Sequence, residues 1–214
     1  MHLAWLYAGV ILQGAVVTLE LTVVSTVLSF ILGIFGALGR IYGPPWLRTA
    51  ILAYVELIRG LPPILQLFII FFGLTQFGID LPPFTAAMIW LVIYGTGYAI
   101  EVFRAGIQAV ADGQREAATA VGMGFLSTLR KVVMPQAFVL MLPPLTNFVI
   151  IQLKNTTLVY FIGVADIMYQ AQLGADATEQ PGTLYALAAV AYLIMNGTLS
   201  RIAAHLERKA AAYR

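Results

Sequence analysis

The chain has 214 residues, 60% of them hydrophobic and only 10% charged, with a mean hydropathy of +0.87, far above the apolar share of ordinary soluble domains; it is a membrane protein. Twelve basic and ten acidic residues leave a net charge of +2, and no basic stripe interleaved with aromatics is present, which excludes a nucleic-acid surface. Cysteine is absent and the two histidines, His2 and His205, stand at opposite ends, which excludes disulfides, thiolate chemistry and a histidine-based metal site or triad.

A membrane-crossing helix needs roughly 20 apolar residues, and five runs of that length occur between charges and turn signals. The first extends from about Gly14 to Leu38. The second, from about Ala50 to Gly73, contains Glu56 and Arg59, and the third, from about Phe84 to Val110, contains Glu101 and Arg104. The fourth begins near Val132 and stays uncharged until Lys154, and the fifth covers about Leu184 to Ala204. Between the last two lies a mixed stretch, IGVADIMYQAQLGADATEQPG, expected to be part re-entrant and part surface helix. No Lys or Arg precedes Arg40, so no cleavable signal peptide is expected. The fold class is all-α: a polytopic membrane protein with five transmembrane helices, residues 1–214 forming a single domain.

Cations set the orientation, because Lys and Arg are retained on the cytoplasmic side during insertion. With the N-terminus outside and the C-terminus inside, Arg40, Arg48, Arg115, Arg130, Lys131, Arg201, Arg208, Lys209 and Arg214 all fall inside, and the outer segments, around Asp80, Asp176 and Glu179, hold none. Tyr42 and Trp46 then lie near the inner boundary and Trp5 and Tyr7 near the outer one, as interfacial anchors or ordinary lipid-facing aromatics.

Of the proline doublets, Pro44-Pro45 and Pro82-Pro83 fall in loops. Pro62-Pro63 and Pro143-Pro144 fall inside apolar runs, where lost backbone hydrogen bonds are tolerated only facing protein or water. They mark either interrupted helices beside a substrate route or structural kinks. The stretches VELIRG (55–60) and IEVFRAG (100–106) share one arrangement, a glutamate and an arginine three residues apart. That spacing puts both on one helix face. Glu56, Arg59, Glu101 and Arg104 either line a polar passage for a zwitterionic solute or pair internally and hold two helices in register. Lys154, in LKNTT, has no acidic neighbour at helical spacing; it either meets a carboxylate-bearing ligand or snorkels to water. Asn147 and Thr157 complete the substrate-path candidates.

The third-to-fourth loop, about residues 112–131, reads as a short cytoplasmic helix. Asp112 or Gly113 can cap it, and Glu116 falls near its third position. Its small residues, Ala117, Ala118, Ala120, Gly122 and Gly124, let another protein's backbone approach, which favours a docking element over a lipid-surface helix or a mere connector.

Glu116-Ala117-Ala118, three residues, Gly122, nine residues, Val132, then Met134-Pro135 resembles the EAA loop of the integral-membrane permease subunits of binding-protein-dependent ATP-binding cassette importers. Met134 replaces the usual leucine, and Val132 stands for isoleucine. GAVVTLELTVVS, YVELIRGLPPILQLFIIFFG, GYAIEVFRAGIQAVADGQREAATAVGMG and LKNTTLVYFIGVADI look like the polar amino acid permease branch, over roughly residues 14–208. The resemblance implies a five-helix core used as a homodimer or heterodimer. Its loop would be a coupling helix seated on a separate ATPase through Glu116, Ala117, Ala118, Gly122 and Pro135. It also implies two ATPase subunits carrying ATP and Mg²⁺, an extracytoplasmic solute-binding protein, an amino acid substrate and a bacterial inner-membrane location. No lysine follows a glycine, so the chain lacks the phosphate-cradling loop of such ATPases, and no cofactor is expected in the chain itself. The alternative is an ion-coupled secondary transporter in which Glu56 and Glu101 carry the coupling ion. An intramembrane enzyme would need a paired nucleophile and base or a metal motif, and the sequence offers neither.

Overall fold

The computed structural model describes residues 2–211, with side chains described from Tyr7 to Ala210; the Trp5 ring and Arg214 lie outside that range. Every regular element among the described residues is helical. Four helical stretches are long and apolar enough to cross a membrane, namely Tyr7–Tyr42, Pro83–Gln108, Phe125–Ile162 and Pro181–Ala210, and a bent pair of helices makes a fifth.

Helix α1 (His2–Tyr42) has 41 residues, roughly 60 Å at 1.5 Å per residue. It starts well before Gly14 because residues 2–13 hold no proline, and its N-terminal portion packs: Ile11 and Ala15 are buried with Ile167, Ala171 and Ala188. The second expected span is not one straight helix. Helix α2 (Pro45–Gly60) is followed by α3 (Pro63–Phe68) and a π-helical turn, Ile69–Gly73, and the two halves meet at 110°. Pro62 and Pro63 cause the break, because neither can donate to the carbonyl four residues back, those of Ile58 and Arg59. Gln66 replaces the first lost donor. Its buried Nε2 donates to Ile58 O at 2.8 Å and to Leu61 O at 2.9 Å, so one side chain closes the end of α2 and ties it to α3.

Helix α4 (Pro83–Gln108) matches the third run and opens on proline, which is preorganised for a first helical position. The loop helix is α5 (Asp112–Ala120), but its N-cap is Ala111, without a side-chain cap. Neither Asp112 nor Gly113 caps it, and Glu116 lies too far along for a capping box. Asp112 instead sits in the first turn, where its charge suits the helix dipole. No break in the helical chain occurs at Pro135. The chain runs helically through α6 (Phe125–Thr128) and a π turn, Leu129–Val133, into α7 (Met134–Asn155); the widened turn accommodates the proline that follows. Of the two readings of Pro143-Pro144, an interrupted helix is excluded, since both lie inside continuous α7. The carbonyls of Val139 and Leu140 lose their helical donors there, and both prolines are exposed at the protein surface.

A 3₁₀ segment, Thr156–Ile162, ends α7 at Gly163, whose φ of 85° is a left-handed stop that favours glycine. The mixed stretch becomes α8 (Ile167–Thr178), of 12 residues, too short to span a membrane. It packs against α1 and α9 (Pro181–Ala211). Asp166, fully buried, caps α8 by accepting from Tyr169 N at 2.9 Å and from the Tyr192 hydroxyl at 3.2 Å.

Lipid tails are as apolar as leucine, so helices here associate by close packing and buried hydrogen bonds. The α1–α4 pair shows both. A Cβ on Gly33 would lie 2.5 Å from the Ala99 Cβ, so the absence of a side chain sets that crossing. Nearby, a polar seam joins three helices: Gln152 of α7 donates to Leu91 O of α4 at 2.8 Å and to Ser25 Oγ of α1 at 3.1 Å, and Ser29 donates to Val92 O at 3.2 Å. The opposite face of α1, with Leu12, Val16, Val23, Val27, Ile31 and Phe35 exposed, has the apolar character a lipid-facing surface requires.

Candidate functional site

Two places in the fold collect the residues singled out by the sequence. The first is an open cleft of about 560 Å³ where the end of α2 meets α4 and α7, lined by Arg59, Tyr98, Glu101, Arg104, Leu140 and Pro144 among others. Proline chemistry shapes two of its walls, the end of α2 at the 110° break and the turn of α7 around Pro144.

The two glutamate–arginine motifs behave differently. Glu101 and Arg104 form an ion pair one turn apart on α4: Arg104 Nη2 lies 2.7 Å from Glu101 Oε2, and Nε lies 3.1 Å from both oxygens. Arg104 Nη1 reaches on to Gln108 Oε1. This pairing is intrahelical and does not hold two helices in register. Glu56 and Arg59 form no ion pair; the ion pairs among the described residues are Arg104–Glu101 and Arg115–Asp112. Arg59 instead lies over the Tyr98 ring, 6.0 Å from its centroid, an arrangement that lets a guanidinium trade hydration for the ring's negative face.

The structure thus gathers Arg59, Glu101 and Arg104 but not the other substrate-path candidates. Glu56 is exposed on α2 outside the cleft, Asn147 is exposed on α7, and Lys154 is exposed at the last turn of α7. Thr157 is half-buried, and its hydroxyl donates to Lys154 O at 2.8 Å. Sequence reasoning missed Tyr98, which also stacks on Phe148 at 6.4 Å and follows Tyr94 by one turn at 4.8 Å. The i, i+4 spacing of Tyr94 and Tyr98 was the available signal. Gln66 and Gln152 were missed too, and nothing in their spacing marks them.

The second place is the loop helix. Arg115 fastens α5 to the end of α4, donating from Nη2 to Ile107 O at 2.7 Å and from Nη1 to Asp112 Oδ1 at 3.2 Å. Gln136 of α7 donates to Gln114 Oε1 at 3.2 Å. The helix is therefore tied to two spans at once. Ala118 faces inward, while Glu116 and Ala117 are exposed. Gly122, at a φ of 79°, turns the chain in a conformation that penalises any Cβ. Beyond it Val121 and Leu126 are 77% and 73% exposed, while Phe125 packs edge-on against Tyr42 at 4.9 Å. Pro135 is exposed at the start of α7.

A bent span beside a cleft of fixed charges, with a short helix braced between two spans at one end of the bundle, is the layout of a membrane transport component. The family described as binding-protein-dependent transport system inner membrane component matches residues 29–212, and the chain belongs to it; it is a multi-pass inner-membrane permease subunit and not an enzyme. It is 38% identical over 205 residues to the L-cystine transport system permease protein TcyB of Bacillus subtilis (strain 168), covering 95% of this chain and 88% of the relative. It is 34% identical over 208 residues to the glutamine transport system permease protein GlnP of Escherichia coli (strain K12), covering 96% and 94%. Among solved structures, a crystal structure of an amino acid ABC transporter with histidines matches with a TM-score of 0.90 and 36% identity, over 95% of each chain.

Proposed function

We propose that residues 1–214 form a single permease domain that imports a polar amino acid at the expense of ATP hydrolysed by a separate subunit. The observation that carries this reading is the exposed loop helix α5, braced to both α4 and α7, in a chain that is a family member and that resembles permeases of amino acid transporters over nearly its whole length. In this reading the N-terminus is outside and the C-terminus inside. Residues 112–131 are the coupling loop, and Glu116, Ala117, Ala118, Gly122 and Pro135 meet the ATPase, which holds ATP and Mg²⁺. The chain dimerises with an identical or homologous permease, because five spans enclose too small a pathway alone, and an extracytoplasmic binding protein delivers the amino acid.

The route past this chain runs through the cleft of Arg59, Glu101 and Arg104, with Lys154, Thr157 and Asn147 nearer its outer end and Glu56 beside it. A rigid-body movement of the ATPases, carried through α5 into α4 and α7, would open and close that route. The test is uptake by proteoliposomes holding the complete importer. Uptake should require ATP and the binding protein and persist with an uncoupler. Uptake that ignores ATP and collapses with the uncoupler would refute the reading in favour of ion coupling through Glu56 and Glu101.

A further inference from the structure

We propose that Arg59 receives the substrate's α-carboxylate in the cleft between α2, α4 and α7, and that this passage selects neutral and acidic amino acids over basic ones. The inference rests on the importer reading above and adds the substrate class and the residue that sets it.

Charge bookkeeping within the cleft carries it. Three charged side chains line it: Arg59, Glu101 and Arg104. Arg104 occupies both oxygens of Glu101 and passes a further N–H to Gln108, so this pair is closed on itself and presents little net charge to a solute. Arg59 is different. It has no carboxylate partner among the described residues, and its charge is held over the Tyr98 ring, which stabilises a cation without consuming its in-plane N–H donors. Those donors match a carboxylate's two oxygens. Glu56, the acid one turn before it, does not line the cleft.

The backbone beside Arg59 complements this. Its own carbonyl has lost its helical donor to Pro63, while the carbonyl before it, that of Ile58, is already satisfied by Gln66. The end of α2 therefore offers a cationic fork and a neutral acceptor side by side, the two features a zwitterion's head group needs. A solute with a basic side chain would enter a cleft whose one uncompensated charge is positive and whose one carboxylate is already engaged. That uncompensated positive charge would repel the basic side chain.

The test is equilibrium binding of labelled L-glutamine to the detergent-solubilised permease–ATPase complex without its binding protein, competed by unlabelled L-glutamate, L-arginine and L-glutamine α-amide. The α-amide should compete at least tenfold less well than glutamine, and arginine at least tenfold less well than glutamate. Arg59→Gln should weaken glutamine binding at least tenfold and erase the discrimination between glutamine and its α-amide, a change that a merely structural arginine would not produce. Arg59→Lys, which keeps the charge and loses the fork, should fall between and serves if the glutamine variant does not fold. Equal competition by arginine and glutamate, wild-type affinity in Arg59→Gln, or no binding of either glutamine or glutamate would overturn the assignment. ATP-driven uptake by the wild-type importer alongside any of those results would overturn the role of Arg59 alone; absence of ATP-driven uptake of any amino acid would overturn the importer reading itself.

Discussion

Removing Arg104 should cost this protein more than removing Arg104 and Glu101 together. Their side chains are 30% and 23% exposed, so the pair is neither a screened surface bridge, worth about 0.2–1 kcal/mol, nor a fully buried one, whose disruption costs about 3–5 kcal/mol. Arg104→Gln leaves the Glu101 carboxylate without its N–H donors at that depth, and a cost of about 2 kcal/mol follows from lying between those limits. The double variant Glu101→Gln with Arg104→Gln replaces the pair by two neutral amides able to bond each other and should cost about 1 kcal/mol or less, since no charge is stranded. For a chain of this size 1 kcal/mol moves the melting temperature by about 2–4 °C, so Arg104→Gln should melt about 4–8 °C below the parent in detergent, with the double variant recovering at least half of the loss. A double variant as unstable as the single one, or an Arg104→Gln that melts with the parent, would refute the assignment of this pair as a closed, internally satisfied unit.

Three further outcomes follow from packing, backbone satisfaction and burial. Gly33→Ala places a methyl where the Ala99 Cβ already lies 2.5 Å away; it should destabilise by about 1–3 kcal/mol, and Ala99→Gly should recover most of that in thermal melting. Gln66→Leu strands the Ile58 carbonyl that Pro62 cannot serve, which should cost about 1–3 kcal/mol and increase protease sensitivity at the α2–α3 bend. Burial pushes the Asp166 carboxyl up to about 6, against the opposing pull of the backbone N–H groups of Tyr169 and Met168. The native state therefore holds this proton more tightly than the unfolded chain, so its contribution to stability is fullest below about pH 4 and is lost as pH rises through about 6. Melting measured from pH 4.5 to 7.5 should show that loss, and Asp166→Asn should flatten it.

The spans were legible because apolar runs of sufficient length are themselves the requirement for crossing a bilayer. Pro62-Pro63 announced a real break, yet the equally plain Pro143-Pro144 did not break α7. A proline doublet removes donors and adds clashes, but whether the helix stops or continues depends on what donates to the stranded carbonyls, which a local pattern does not contain. The twin glutamate–arginine motifs carry the same limit. Both have the spacing to pair, and only Glu101–Arg104 does, because Arg59 found an aromatic face on another helix. Gln66, Gln152 and Asp166 owe their roles to partners far along the chain or across a bend and so read as ordinary polar residues. The short loop helix was visible in its composition, although its capping was misplaced by one or two residues, since Asp112 favours the first turn as much as the cap position.

The account stands on α5 being an inner-face helix that meets the ATPase. The chain has no cysteine, so a thiol introduced by Ala117→Cys, at an exposed position of α5, would be unique. Labelling it with a membrane-impermeant maleimide in sealed vesicles of each orientation, with cross-linking to the ATPase subunit in the same samples, tests the claim directly. Modification only in inside-out vesicles, blocked when the ATPase is cross-linked at that thiol, is the predicted result; modification in right-side-out vesicles would contradict it.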